Sequence, residues 1–309
     1  MKTVNENDWL KQSPYDRFMY FIAPKVDRYK TLLATVEKLG LNSMVIAVEG
    51  NKHIFIFPPG LKFKRPEGSV FPFMGQDPYM FVAHYDRVDG SPGANDNSIA
   101  VFHLLRAAIT LPQLGLNKWI IVFTDKEELS SGENFDVQGS FSLAQKLKSW
   151  GLEKVKIFNF DACGTGDTFV FSTITDIVLG NNESPNVLKL KQEITGLRKK
   201  VFEAAHNLRF DKFLAAPTPF CDDMGFLRAG LAAQTVTMLP SDEASQYEEI
   251  LRKNPDFPKL IISGEIKKPN MRKHLPATWR NMNTPADNIQ RLTPQYFDQV
   301  LKFIQELCQ

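Results

Sequence analysis

The sequence predicts an α/β protein: a three-layer α/β/α sandwich around a mixed, mostly parallel central sheet. Short runs that are apolar at almost every position alternate with helical patterns over most of the chain, as is typical of strands buried on both faces. A hairpin signal precedes this alternation, because the apolar runs at 44–48 and 53–57 flank the turn residues EGNK. Hairpin strands are antiparallel, so we expect the sheet to be mixed.

The elements follow from apolar spacing and from turn residues. Residues 15–40 have the apolar spacing of two helices divided at Pro24. Further strands are expected at 79–83, 119–123, 155–160, 168–172 and 232–239, and helices at 98–111, 140–149, 185–208 and 294–307. We interpret residues 209–222 as loop, and the Pro-, Lys- and Asn-rich residues 240–287 as a long loop that forms a rim or lid. We expect a single domain over residues 1–309, with its N-terminal helices in residues 1–40.

Composition narrows the classes of partner. The chain has 37 basic and 35 acidic residues, which leaves a formal charge of only +2 and gives no reason to expect a nucleic-acid or membrane surface. A peptide or a small aminoacyl compound is the expected substrate. Three cysteines are too few for a disulfide framework, and the polar N-terminus lacks the apolar core of a signal peptide, so we expect a cytoplasmic protein. The sequence is silent on oligomeric state.

Acidic and imidazole side chains collect where three of the predicted strands end. The carboxyl ends of parallel strands share one edge of the sheet, where ligands of α/β proteins usually bind. Without a cation, carboxylates brought together there would repel one another. A mixture of histidine and carboxylate ligands favours zinc, with manganese or cobalt as substitutes. The residues concerned are His84, Asp86, Asp96, Glu127, Glu128 and Asp161.

The order of these motifs resembles that of the co-catalytic di-zinc aminopeptidases, a family that also contains glutaminyl cyclases. The resemblance covers residues 79–290 and rests on six motifs: HYD, GANDN, EE, NFDACG, CDDMGF and NTPADN. It implies one metal bound by His84, Asp96 and Asp161, with Asp96 bridging to a second metal held by Glu128. The family completes that second site with a histidine where this chain has Asn283, whose amide oxygen is a weaker zinc ligand than imidazole.

The resemblance also implies roles around the metals. Glu127 would be the general base that activates a metal-bound water, so that the enzyme hydrolyses N-terminal peptide bonds. Asp86 would orient His84, and Asp222 keeps an acidic position of the family, whereas Asp223 stands where the family has a histidine.

Asn283 leaves alternatives open. The chain could be a family member that binds its ligand without catalysis, or an aminoacyltransferase that cyclises N-terminal glutamine. His274 lies nine residues before Asn283, and it could fold into the site as the replacement ligand.

Overall fold

An eight-stranded mixed sheet lies at the centre of the protein in a computed structural model that describes residues 17–61, 78–130 and 132–309. Its strand order is β1-β2-β4-β3-β5-β8-β6-β7. The pairs β4-β3, β3-β5, β5-β8 and β6-β7 are parallel, and the other three are antiparallel. The strands are β1 (Asn42–Val48), β2 (Asn51–Phe57), β3 (Tyr79–His84), β4 (Trp119–Thr124), β5 (Lys156–Phe160), β6 (Thr168–Ser172), β7 (Phe213–Ala216) and β8 (Ala233–Leu239).

Helices cover both faces of the sheet. They are α1 (Phe18–Phe21), α2 (Arg28–Lys38), α3 (Ile99–Gln113), α4 (Gly139–Ser149), α5 (Ile174–Leu179), α6 (Pro185–Asn207), α7 (Asp222–Arg228), α8 (Ser241–Lys253), α9 (Phe257–Ile262), α10 (Pro269–Arg272), α11 (Ala277–Asn281) and α12 (Phe297–Leu307). Helices α3, α6 and α12 pack on one face together with α1 and α2, and α4 packs on the other, whereas α7 contributes buried side chains to both core clusters. In the part of the chain described here, none of the helices is both long enough and apolar enough to span a membrane.

Strand β3 shows why the layers form. Phe81 and Ala83 belong to the core beneath α3, while Met80 and Val82 belong to the core beneath α4. Successive side chains of a strand point to opposite faces of the sheet, so a continuously apolar strand must be covered on both sides. The predicted α/β/α sandwich with a mixed sheet is confirmed.

The prediction of a long loop at 240–287 is wrong, because helices α8 to α11 occupy most of this segment. Two of its prolines lie at helix starts rather than within loops: Pro240 immediately precedes α8, and Pro269 is the first residue of α10. Buried apolar residues such as Tyr247 and Trp279 hold these helices on a third apolar cluster. Isolated apolar positions between charged ones are a helical pattern that composition alone conceals.

Two other predictions need correction or qualification. The segment 209–222 is not only loop, because it contains β7. The two expected N-terminal helices are α1 and α2, but residues 1–16 lie outside the described part of the chain. The single domain stays a prediction.

Candidate metal centre

The carboxyl ends of three adjacent parallel strands bring the predicted site residues together. Strands β4, β3 and β5 are neighbours in the sheet. His84 is the last residue of β3, Asp161 directly follows β5, and Glu127 and Glu128 lie just beyond β4. Asp96 joins them from the loop that leads into α3. The expectation that these side chains share one edge of the sheet agrees with their observed positions.

Three side chains form a compact group of ligand atoms. One atom each from His84, Asp96 and Glu128 lies within 4.8 Å of the other two. The His84 Nε2 atom is 3.1 Å from Asp96 Oδ1, and it is 3.9 Å from both Glu127 Oε2 and Asp161 Oδ1. Asp161 therefore borders this group, and all five residues surround one small volume.

Asp86 connects the histidine to the glutamate pair. Its Oδ1 atom is 3.3 Å from His84 Nδ1, the ring nitrogen that faces away from Asp96. The two carboxylate oxygens also accept the backbone N–H groups of Glu127, at 3.1 Å, and of Glu128, at 3.0 Å. One carboxylate thus fixes the imidazole ring and the backbone that carries both glutamates.

Asp287 holds the loop that carries Asp96. Its carboxylate accepts the backbone N–H of Asn95 at 2.8 Å and that of Asp96 at 3.0 Å. The peptide bond between Asp96 and Asn97 is cis. The side-chain Nδ2 of Asn97 donates to the Phe160 carbonyl at 2.8 Å, which ties the loop to the end of β5.

Gln138 fixes the position of Glu127. The amide Nε2 of Gln138 donates to Glu127 Oε1 at 3.1 Å, and Gln138 in turn accepts the Ser140 hydroxyl at 3.2 Å. The second oxygen, Oε2, is left facing His84. Glu127 is only 8% exposed, so this carboxyl is both positioned and largely withdrawn from water.

Asn283 lies next to Glu128, at the position where the resemblance places a histidine. Its Nδ2 donates to Glu128 Oε2 at 2.9 Å. His274 does not join the group of ligand atoms around His84: it is exposed, and its ring packs edge-on against Phe257 at 6.3 Å. Among the described residues, the group of possible metal ligands contains His84 but not His274, so the structure lends no support to His274 as the replacement ligand.

Burial and crowding perturb the acid–base equilibria of this cluster. Burial raises the pKa of Glu127 well above its usual range, and burial together with the charge of Asp96 raises the pKa of Glu128 to about 9. Burial also raises the pKa of Asp96, although His84 opposes that shift. Burial would lower the pKa of His84, but the adjacent carboxylates of Asp161, Asp86 and Asp96 outweigh this and raise it well above the usual value. Without a cation, these groups must share protons to relieve their repulsion.

The donor set fits a divalent cation. Asp161 Oδ1 and Glu128 Oε1 are buried and lack hydrogen-bond partners in the described structure, which is costly for carboxylate oxygens unless a ligand satisfies them. One imidazole with several carboxylates suits zinc, and manganese or cobalt also accept such ligands. Asp222, which keeps an acidic position of the family in the resemblance, is fully buried beside this group. Its Oδ2 accepts the Thr124 hydroxyl at 2.6 Å, and burial raises its pKa to about 6.

Sequence reasoning missed three supporting residues. Asp287 lies within the quoted motif NTPADN, and Gln138 directly precedes the motif residue Gly139, so both were near a usable signal. Arg28 had none, because it comes from α2, far away in sequence. It is buried and donates to the carbonyls of Asp86, at 2.9 Å, and of Gly93, at 3.2 Å, bracing the loop between them.

Solved structures of similar fold include exopeptidases and a cyclase. A leucine aminopeptidase precursor from Bacteroides thetaiotaomicron has a TM-score of 0.61 at 15% identity, covering 96% of this chain and 95% of that one. A glutaminyl cyclase from the same organism, bound to N-acetylhistamine, has a TM-score of 0.60 at 17% identity and covers 96% of each chain. The TM-scores and the coverage show that this chain shares the fold of these proteins, and at such low identity they show the fold alone.

BSAP, a zinc aminopeptidase from Bacillus subtilis, has a TM-score of 0.51 at 18% identity. The match covers 83% of this chain but only 49% of BSAP, so this chain spans about half of that protein's length. Comparison with the sequences of curated proteins found no match. Residues 71–307, more than three quarters of the sequence, match the sequence model of the family described as peptidase family M28. The chain belongs to peptidase family M28.

Proposed function

We propose that the protein is a metal-dependent exopeptidase, and specifically an aminopeptidase that hydrolyses N-terminal peptide bonds. The observation that carries this proposal is the position of Glu127. One of its oxygens is held by Gln138 at 3.1 Å, and the other lies 3.9 Å from His84, beside the group of ligand atoms. A buried carboxyl held next to a metal-ligand group is the arrangement that metal-assisted hydrolysis requires.

In this proposal, His84, Asp96, Glu128 and Asp161 hold one zinc ion, for which manganese or cobalt can substitute. When bound, the ion supplies Lewis acidity, which polarises a carbonyl group and lowers the pKa of water. Asn283 limits the site to one ion, because its amide already donates to Glu128 Oε2 at 2.9 Å and offers no imidazole.

The chain's own residues handle the proton. Glu127 takes a proton from the attacking water at Oε2 and returns it to the leaving amine, while Gln138 keeps Oε1 in place. Burial raises the pKa of Glu127 well above the usual range, so this carboxyl can retain the proton between the two transfers. Asp86 holds the His84 ring and the backbone of Glu127 in a fixed position relative to each other.

The test compares wild type with Glu127→Gln on a panel of aminoacyl anilides and N-acyl amides, each with added zinc, manganese or cobalt. We expect Glu127→Gln to lower kcat by at least about 100-fold, the lower end of what a general base contributes. Metal content, measured by atomic emission, should not change. Glu153→Gln, at an exposed site, is the matched control. Equal rates for wild type and Glu127→Gln would refute the assigned role.

The hydrogen bond from Asn283 to Glu128 favours one second candidate, a family member that binds its ligand without turnover. This candidate predicts metal binding and ligand binding but no cleavage of any substrate in the panel. A glutaminyl peptide in the same panel, followed by mass spectrometry, tests for cyclisation through the loss of ammonia. Cleavage that Glu127→Gln abolishes would exclude the non-catalytic protein.

A further inference from the structure

The backbone that carries Glu127 is held from behind by the hairpin of β1 and β2. We call residues 125–128, which follow the end of β4, the base segment. Asp125, its first residue, donates its backbone N–H to Nδ1 of His53 in β2 at 3.3 Å. The Asp125 carboxylate in turn accepts the backbone N–H of Lys52 at 3.0 Å. Two hydrogen bonds of opposite direction therefore join β2 to the base segment.

Gly139, the first residue of α4, packs against the same part of the base segment. Its backbone N–H donates to the Lys126 carbonyl at 2.9 Å. A Cβ atom at Gly139 would lie only 1.8 Å from the Asp125 carbonyl oxygen and 3.1 Å from His53 Cε1, so the close approach requires glycine. The base segment is thus fixed between β2 and the start of α4.

The backbone conformation of Lys126 explains why the base segment needs this support. Its φ of 57° lies in the left-handed region, which a residue with a Cβ atom occupies at a cost in free energy and only where its surroundings hold it. On one side, Asp86 accepts the Glu127 N–H at 3.1 Å. On the other side, His53 accepts the Asp125 N–H. Loss of the His53 contact would let Lys126 relax and would move Glu127 away from the group of ligand atoms.

The surroundings of His53 indicate that its imidazole serves this hydrogen bond and not packing alone. The ring is fully buried, and burial lowers its pKa to about 4, so it is neutral at pH 7. Because Nδ1 accepts a hydrogen bond, the ring proton lies on Nε2, which has no partner among the residues that the structure describes. A buried N–H group without an acceptor is costly, so an apolar side chain would suit this place better if packing were the only requirement.

We infer that His53 is a positioning residue for the reaction: its Nδ1 lone pair holds the base segment so that Glu127 faces the group of metal ligands. This inference rests on the proposed aminopeptidase function. His53 acts through the backbone N–H of Asp125 and not through a contact of its own with the reacting atoms. Its loss should therefore impair proton transfer, and so lower kcat, while substrate binding and KM stay nearly unchanged.

The test compares His53→Asn with His53→Leu on the aminoacyl anilide that zinc-loaded wild type cleaves fastest. The two replacements are similar in size, but only asparagine offers an acceptor, Oδ1, close to the place of Nδ1. We expect His53→Leu to lower kcat by about 10- to 100-fold, since a displacement of about 1 Å can cost a catalytic group about 100-fold. KM should stay within about twofold of wild type, and His53→Asn should keep kcat within about threefold.

Stability should not follow activity in this pair. His53→Leu removes the unpartnered Nε2–H, whereas His53→Asn buries an amide, so the leucine variant should melt at the same temperature or higher. Asn42→Leu, which removes two hydrogen bonds to the Pro58 and Leu61 carbonyls at the far end of the same hairpin, is the control and should keep the wild-type kcat. Equal kcat for the two His53 variants would overturn the inference, as would an Asn42→Leu defect as large as that of His53→Leu.

One measurement on wild type alone keeps the inference testable if a variant does not fold. The ¹⁵N NMR shifts of the histidine rings at pH 7 should show His53 with a proton on Nε2 and none on Nδ1. A proton on Nδ1 would leave no lone pair for the Asp125 N–H and would overturn the inference.

Failure of the proposed function has a different signature. If zinc-loaded wild type cleaves none of the anilides, the aminopeptidase proposal fails, and the positioning role is then tested by hydrogen exchange of the base segment. Exchange of the Asp125 N–H that is at least about tenfold faster in His53→Leu than in His53→Asn, at equal zinc content, supports the role. Equal exchange in the two variants refutes it.

Discussion

Replacing Asp287 with asparagine should weaken zinc binding by about 10- to 100-fold without unfolding the protein. Asp287 is outside the group of ligand atoms, but its two oxygens accept the backbone N–H groups of Asn95 and Asp96 at 2.8 and 3.0 Å. Asparagine can accept only one of these, and its own amide hydrogens then face the other N–H. Loss of one hydrogen bond to a charged acceptor costs roughly 1.5–3 kcal/mol, which corresponds to about one to two decades of affinity.

The assay is a competition titration of zinc against a chromophoric chelator at pH 8, together with thermal unfolding of the metal-free proteins. Asp211→Asn, at an exposed aspartate, controls for the general effect of removing a negative charge. Asp287→Ala should bind zinc still more weakly, because it keeps neither acceptor. A folded Asp287→Asn protein that binds zinc within twofold of wild type would refute the idea that Asp287 positions Asp96.

Three further predictions address the surroundings of the site. Asn283→His removes the donor to Glu128 and adds an imidazole at a position where the backbone φ is 61°, a conformation that histidine tolerates better than most residues. The number of zinc ions bound per chain after dialysis should therefore rise from one to two, whereas Asn283→Ala should still bind one. Burial raises the pKa of Asp223 from 3.8 to about 7, so wild type should lose stability as pH rises from about 4 to 7, the range in which this carboxyl is ionised only in the unfolded chain. In urea unfolding, Asp223→Asn should gain up to about 4 kcal/mol in the free energy of unfolding relative to wild type between pH 4 and pH 8. A difference that does not change with pH would contradict this prediction. Gly225→Ala should lower stability by about 1–3 kcal/mol, because a Cβ there would lie 2.1 Å from Ser140 Oγ; an unchanged melting temperature would argue against such close packing of α4 and α7.

Local patterns predicted the sheet well, because the strands that carry the site are short, apolar and ended by polar residues. The apolar run 119–123, for example, is β4, and its polar successors Glu127 and Glu128 reach the site as expected. Motif order added the loop that carries Asp96. These signals work because each depends on residues close together in sequence.

Features that depend on distant contacts could not be predicted in the same way. The helices at 240–287 are stabilised by burying Tyr247 and Trp279 against β6 and β8, a contact that no local window contains. Asp287 supports a loop 191 residues earlier in the chain, so its role appears only after folding.

Asp86 couples the free energy of metal binding to the position of the proposed base. A single carboxylate contacts the His84 ring and accepts the N–H groups of both Glu127 and Glu128, so the ligand group and the proposed base share one anchor. Substitutions at Asp86 and at Glu127 should therefore be strongly non-additive in a double-mutant cycle. For the evolution of this chain, the consequence is that metal affinity and base position cannot be tuned separately through Asp86, whereas the exposed Asn283 can change with little effect on either His84 or Glu127.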